Sequence, residues 1–284
     1  EKYIQNLTNY IGDSDLKIIA KIESASAINN LDSILAASHG VMIDRGDLSV
    51  ETSIPETGIL QKRILANSIK YGTPVIVATE TLHSMHNSKY PTKAEVNDIT
   101  NSILDNASAL MLSGETAVGE YPLESVSTMK SIIKAVTSSD LYTSLTIKNN
   151  NINVNADQMS QPDLMAAAVS QLSNSNLIKK VVLLSKSGDG ARYLSKYINK
   201  EIIAFTDCSS TIRNLLIYKN IRPIYLDQKF LDDPRHIYLA ASKMISEGYD
   251  PDSLYAFIYV SEGGLGLRLN TIHVNALSTL SQKC

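Results

Sequence analysis

The 284-residue chain has no tryptophan and only two cysteines, Cys208 and Cys284. These lack the paired short spacing of a metal or redox site, so they read as free thiols in a reducing compartment rather than as a disulfide framework. An excess of charge of one sign is also missing. With 26 basic and 29 acidic residues the formal net charge is −3, so nothing suggests nucleic acid or an anionic lipid surface as a bulk electrostatic partner. No apolar run approaches the roughly 20 residues that a bilayer-crossing helix needs, so no membrane partner is expected. The chain starts at Glu1 rather than methionine, as a processed, tagged or cut product would, and no targeting peptide can be judged from it. What is present is an apolar content of 44%, ordinary for a globular chain with a buried core, in a length that suits two domains or one large one.

Residues 1–140 alternate apolar runs with amphipathic stretches. Helices are predicted over Ala27–Ala37, Thr57–Tyr71 with Gly72 as its stop, Ala94–Leu104 opened by Pro91, and Pro122–Val136. Strictly alternating βα units imply a parallel sheet covered on both faces. Residues 143–161 are polar and asparagine-rich and read as a linker or insertion. Residues 162–284 form a second, smaller α/β unit. It has predicted helices at Leu164–Leu172, Ala191–Tyr197 and 234–247, strands at 180–184, 201–205 and 222–226, and a closing antiparallel pair at 253–260 and 271–275 around Gly263–Gly266.

The four apolar runs of the first unit each stop at polar residues: Lys17–Glu23 (KIIAKIE), Val41–Asp47 (VMIDRGD), Pro74–Glu80 (PVIVATE) and Ala109–Thr116 (ALMLSGET). Polar groups placed repeatedly just past strand carboxyl ends are how an α/β barrel builds an active site. On an extended strand, residues i and i+2 share a face, which pairs Lys21 with Glu23, Arg45 with Asp47, and Ser113 with Glu115. Glu23 and Asp47, at the ends of successive strands, suit a hard divalent cation such as Mg²⁺ with open positions left for substrate oxygens. Lys21 adds a compact positive charge, and a cation plus Mg²⁺ is the recurring electrostatic solution to phosphoryl transfer. Gly46 offers a backbone amide and Thr79 a hydroxyl donor. Each motif alone has a bland reading: K-x-E as a solvated strand end, R-G-D as a turn. Their ordered combination in a βα repeat is far more specific.

On these residues, together with Pro91–Glu95 (PTKAE) and Tyr121–Glu124 (YPLE), the chain resembles pyruvate kinase, strongly to about Ala135 and loosely in the second unit. The resemblance implies the second half of a (β/α)₈ TIM-type barrel over residues 1–142, the linker 143–161, and a C-terminal α/β domain with a mixed sheet over 162–284. It implies Mg²⁺-dependent transfer of the phosphoryl of phosphoenolpyruvate to ADP, giving pyruvate and ATP. Lys21 would stabilise the phosphoryl in flight, Glu23 and Asp47 would hold Mg²⁺, and Gly46, Asp47 and Thr79 would contact the substrate carboxylate. Arg45 would orient, and Ser113 and Glu115 would lie on the route that protonates the enolate. Ser185, Lys186, Ser187 and Gly188 match a loop that holds a sugar-phosphate effector. A homotetramer in the cytoplasm, with an organellar form as the alternative, follows from the same resemblance.

The chain departs from the family pattern at several positions. Asp44 stands where a small residue is common, Glu80 where an amide is usual and His83 where an acid is usual. Asp189 puts negative charge beside the effector loop, and His236 replaces a frequent arginine. His83 and His86 read as helix residues near a subunit contact. The earlier barrel strands, which carry the K⁺ ligands and an arginine for the phosphoryl group, are not in this chain, nor is the lid domain over the nucleotide. The chain alone is therefore expected to be inactive. The competing readings are a non-catalytic assembly and effector-binding piece, and another Mg²⁺-dependent barrel enzyme acting on pyruvate or phosphoenolpyruvate.

Overall fold

The computed structural model describes residues 2–12, 16–149, 159–175, 177–198, 200–227, 230–233, 235–259 and 271–281. It divides into two compact units, 1–149 and 150–284.

The first unit runs α1 (Lys2–Ile11), β1 (Ile19–Ile22), α2 (Ala25–Asn29), α3 (Leu31–Ala37), β2 (Gly40–Asp44), α4 (Arg45–Glu51), α5 (Ile54–Tyr71), β3 (Val75–Ala78), α6 (Lys93–Leu104), β4 (Ala109–Leu110), α7 (Gly114–Ala117), α8 (Pro122–Thr137) and α9 (Asp140–Asn149). The four strands pair in parallel in sequence order, the arrangement of consecutive βα units. Ile22, Val41, Ile43, Val75 and Val77 of the strands bury against Leu31, Leu35, Ile64 and Leu65 of the helices. On α5 the buried side chains are Gln61, Ile64, Leu65 and Ser68, one face at helical spacing. Gly72 then ends α5 in the left-handed conformation, φ 60°, which a residue without Cβ adopts freely. A reciprocal capping box between Thr92 and Glu95 starts α6.

Four sequence expectations change here. The predicted helix Ala27–Ala37 is broken at Asn30, whose side-chain amide donates to the Ser26 carbonyl and satisfies a helix end instead of continuing the helix. Strand β2 stops at Asp44 and α4 begins at Arg45, so Arg45 and Asp47 do not share a strand face. Strand β4 ends at Leu110, and Ser113 precedes a short helix that contains Glu115, so this pair is not presented by a strand either. Helix α9 continues to Asn149, into the stretch read as linker. Residues 150–158 and the Gly263–Gly266 turn lie outside the described residues.

The second unit runs α10 (Gln161–Asn174), β5 (Ile178–Leu184), α11 (Asp189–Tyr197), β6 (Ile202–Thr206), α12 (Ser209–Leu215), β7 (Ile221–Tyr225), α13 (His236–Ser246), β8 (Leu254–Tyr259), β9 (Thr271–Ala276) and α14 (Leu277–Ser281). The sheet order is β7-β6-β5-β8-β9, parallel except for the antiparallel β8–β9 pair. Alternate residues of β5 feed opposite faces: Val181 and Leu183 enter one buried cluster, Val182 and Leu184 the other. A strand buried on both faces reads as a continuous apolar run, which is why residues 180–184 carry no period-2 pattern. Pro223, which has no N–H to donate, sits in β7 at a sheet edge. Among the described residues, no helix is long and apolar enough to cross a membrane.

Candidate active site

Lys21 is the last residue but one of β1. Its Nζ lies 2.6 Å from Glu23, 3.0 Å from Asp44 and 3.6 Å from Asp47. Carboxylate oxygens of Glu23, Asp44 and Asp47 all fall within 4.8 Å of one another. The parallel register of β1 and β2, with Ile22 opposite Ile43, brings the two strand ends side by side. The start of α4 folds Asp47 back over them. The hydrogen bonds from Lys21 to Glu23 and Asp44 hold the ammonium protonated far above its ordinary range. Burial pushes the Asp44 carboxyl up, but the Lys21 hydrogen bond and charge, the Asp47 amide and the Thr79 hydroxyl outweigh it and leave the group below its usual value. The cluster is therefore anionic overall, with one cation for three carboxylates. Its oxygen-only donors suit a hard cation.

Across from it, β3 ends at Ala78, and the next two residues, Thr79 and Glu80, have φ of 65° and 52°. For a β-branched residue this is an outlier, and such positions cost about 1–3 kcal/mol each. Helix α4 holds the Thr79 peptide there. Arg45 donates from Nε and Nη2 to the Thr79 carbonyl at 3.1 and 2.6 Å. The Gly46 amide donates to Thr79 Oγ1 at 3.0 Å. The hydroxyl proton of Thr79 can reach the Ala78 carbonyl at 2.7 Å or Asp44 Oδ1 at 3.3 Å. A Cβ on Gly46 would project between Asp44 and Thr79, touching both at van der Waals distance, so glycine keeps that space clear.

The expected residues are thus brought together in part. Lys21, Glu23, Asp47, Gly46 and Thr79 converge, and Asp44 joins them as a third carboxylate. Arg45 turns away: it is 9% exposed, and its Nη1 pairs with Asp98 at 2.5 Å. Asp98, on α6, carries no motif that sequence reading could catch. Glu115 is buried and accepts the amides of Leu82 at 2.9 Å and Ser113 at 2.8 Å. Burial raises its carboxyl, but these amides win and keep it below its ordinary value. It ties the residues after β3 to those after β4. The Ser113 hydroxyl oxygen is buried with no hydrogen-bond partner among the described residues. His83 and His86 form a single 3₁₀ turn with rings 4.8 Å apart, and a Cβ on Gly114 would run into the His86 ring.

Residues 2–126 match the family described as pyruvate kinase, barrel domain, and residues 163–258 match pyruvate kinase, alpha/beta domain. The chain belongs to the pyruvate kinase family. "Pyruvate kinase 1" of Saccharomyces cerevisiae is 38% identical over 220 residues, covering 77% of this chain and 44% of the relative. "Pyruvate kinase 2" of Synechocystis is 38% identical over 208 residues, 73% of this chain and 34% of the relative. "Pyruvate kinase" of Clostridium acetobutylicum is 34% identical over 249 residues, 87% of this chain and 51% of the relative. The chain thus spans about a third to a half of the length of the pyruvate kinases it matches.

The pyruvate kinase alpha/beta match includes the loop after β5. There the Gly188 amide donates to Ser185 Oγ at 3.0 Å and the Asp189 amide to Ser187 Oγ at 3.3 Å, while Thr211 Oγ1 donates to the Lys186 carbonyl at 2.7 Å. Gly188 has φ 79°, a conformation that L side chains rarely adopt, and a Cβ there would also press on Thr211 and Leu215 of α12 at 3.1 Å.

Proposed function

We propose that this chain supplies the metal and enolate side of a pyruvate kinase active site, in which the phosphoryl of phosphoenolpyruvate passes to ADP. The observation that carries the reading is the single cluster of Lys21, Glu23, Asp44 and Asp47 at adjacent strand ends, facing the Gly46–Thr79 pair. The oxygen donors fit Mg²⁺, with Glu23 and Asp47 as its holders. When bound, the ion neutralises charge on the phosphoryl and enolate oxygens. Lys21 adds a fixed positive charge where the phosphoryl is in transit. The Thr79 hydroxyl orients the substrate carboxylate, and the amides of Gly46 and Asp47, which donate to Thr79 Oγ1 and to the Asp44 carboxylate in the free chain, join it only by exchanging those partners for the substrate. Glu115, held ionised by two amides, acts as an anchor for the Ser113 segment. On this reading Ser113, whose hydroxyl has no hydrogen-bond partner among the described residues, lies with Glu115 on the route that protonates the enolate.

The rest of the barrel, the K⁺ ligands and the nucleotide lid belong, on this reading, to sequence outside the 284 residues, and the chain corresponds to the carboxyl-terminal half of the enzyme. A tetrameric assembly and a cytoplasmic location belong to the same proposal. Sugar-phosphate control at Ser185–Gly188 requires a phosphate to displace two serine hydroxyls from the loop amides beside the Asp189 charge. Titrating fructose bisphosphate against the native enzyme tests it, with an unchanged substrate affinity removing the idea.

The decisive experiment is a coupled assay on the native polypeptide that carries this chain. Pyruvate should form from phosphoenolpyruvate and ADP, stop when divalent cations are chelated, and fall by roughly 10³-fold in Lys21→Met, the scale of losing one preorganised charge at a phosphoryl site. Absence of cation-dependent pyruvate formation would refute the reading.

A further inference from the structure

Thr79 can serve as a substrate contact only while its peptide stays in a conformation that β-branched residues avoid. The strand before it does not impose that conformation, because β3 ends at Ala78. What imposes it is a fork: two N–H groups of Arg45 converge on one carbonyl oxygen, that of Thr79. A planar guanidinium can present two donors to one acceptor only in a narrow range of orientations. The third corner of the guanidinium is held by Asp98 Oδ2 at 2.5 Å. Among the described residues, Arg45 makes no ion pair with Glu23, Asp44 or Asp47, although it is the immediate neighbour of Asp44 in the chain. Without Asp98, that anionic cluster would compete for the guanidinium, and the fork would be lost. Gly46, the next residue of α4, would then lose its grip on Thr79 Oγ1.

We propose that Asp98 is a positioning residue for the substrate-carboxylate contact: it holds Arg45 in the orientation that clamps the Thr79 carbonyl and thereby aims the Thr79 hydroxyl. Arg45 belongs to the same device and is not a group that touches the substrate. The inference rests on the pyruvate kinase reading of the site for its functional half. Its structural half stands on the geometry alone.

The test has two arms. In the 284-residue chain, hydrogen exchange at the Gly46 amide should speed up at least tenfold in Asp98→Asn, while amides of Val41 and Ile43 in β2 stay unchanged. Unchanged Gly46 exchange overturns the clamp. In the native polypeptide, Asp98→Asn should raise KM for phosphoenolpyruvate about tenfold with kcat within twofold. Asp98→Glu, which keeps the charge, should recover most of the loss. Equal losses in Asp98→Asn and Asp98→Glu, or a fall in kcat with unchanged KM, overturn the positioning role. Should Asp98→Asn fail to fold, Arg45→Lys keeps the cation but removes the fork, and it must reproduce the Gly46 and KM effects or the proposal is wrong. A wild-type polypeptide that makes no pyruvate defeats the pyruvate kinase reading, while the exchange arm still decides the clamp.

Discussion

At the residue scale the site is governed by competition for a few protons and charges. Thr79 has one hydroxyl proton, and Asp44 Oδ1 stands 3.3 Å away as a taker. On the proposed function, Asp44→Ala removes both that competitor and a negative charge from the space meant for the substrate carboxylate. The expected result is a KM for phosphoenolpyruvate lower by about fivefold, equivalent to ~1 kcal/mol for one charge in a partly solvated site. A KM that rises instead would mean that Asp44 serves the cation more than it hinders the substrate. Cys208 is a second residue whose surroundings set its chemistry. The Ser210 hydroxyl, then the Thr211 amide and hydroxyl, draw its thiol down to about 7. Iodoacetamide labelling of Cys208 in a Cys284→Ser background should therefore have its pH midpoint near 7, below that of an ordinary cysteine. A midpoint at the ordinary thiol value would show that these hydrogen bonds do not form in solution.

At the scale of elements, short-range packing explains choices that the motifs alone leave open. At Gly114 of the SGET segment a Cβ would overlap the far end of the His86 ring, so a side chain there requires that ring to swing aside. Gly114→Ala should destabilise the first unit by about 1 kcal/mol, the low end of overpacking costs. Gly114→Ala combined with His86→Ala should recover most of that loss, a non-additivity that a thermal melt series would show. In the second unit, Asp163 joins α10 to α11 by accepting from Lys196 Nζ at 2.8 Å and Tyr197 Oη at 3.3 Å. Burial raises the Asp163 carboxyl, but Lys196 and the Ser160 hydroxyl outweigh it, and the folded-state value is depressed. A depressed acid stabilises the fold above its unfolded value, near 3.9, and that stability is lost as pH falls through the folded value. Asp163→Asn should thus cost about 1–3 kcal/mol at pH 7. The gap between wild type and variant should narrow in denaturation curves as pH falls below the unfolded value of ~3.9, and close only below the depressed folded value.

At the scale of the whole molecule, the first sheet has β1 and β4 at its two ends, and each pairs with one neighbour among the described residues. Unpaired strand edges are templates for further pairing. The 284 residues expressed alone are expected to show no pyruvate kinase turnover in a coupled assay and to self-associate on size-exclusion chromatography. Normal turnover by this chain would overturn that expectation. Much of this scale was legible in advance. The alternation of apolar runs with amphipathic stretches carries the parallel sheet, and the apolar run 180–184 carries a strand covered on both faces. The break at Asn30 and the helix starting at Arg45 were not legible, because each depends on a local hydrogen bond or tertiary contact that competes with periodicity. Asp98 was invisible for the same kind of reason: its partner lies 53 positions away.

The sequence by itself determined the family, the βα alternation of the first unit and the residue types at the strand ends, because these depend on local apolar pattern and on ordered motifs. Only the tertiary structure decided which of those residues face the site and which hold it in place. Lys21, Glu23, Asp44 and Asp47 converge because neighbouring parallel strands end side by side. Arg45 and Glu115 are drawn inward, because the left-handed Thr79 peptide and the amides of Leu82 and Ser113 need partners that no other described side chain supplies.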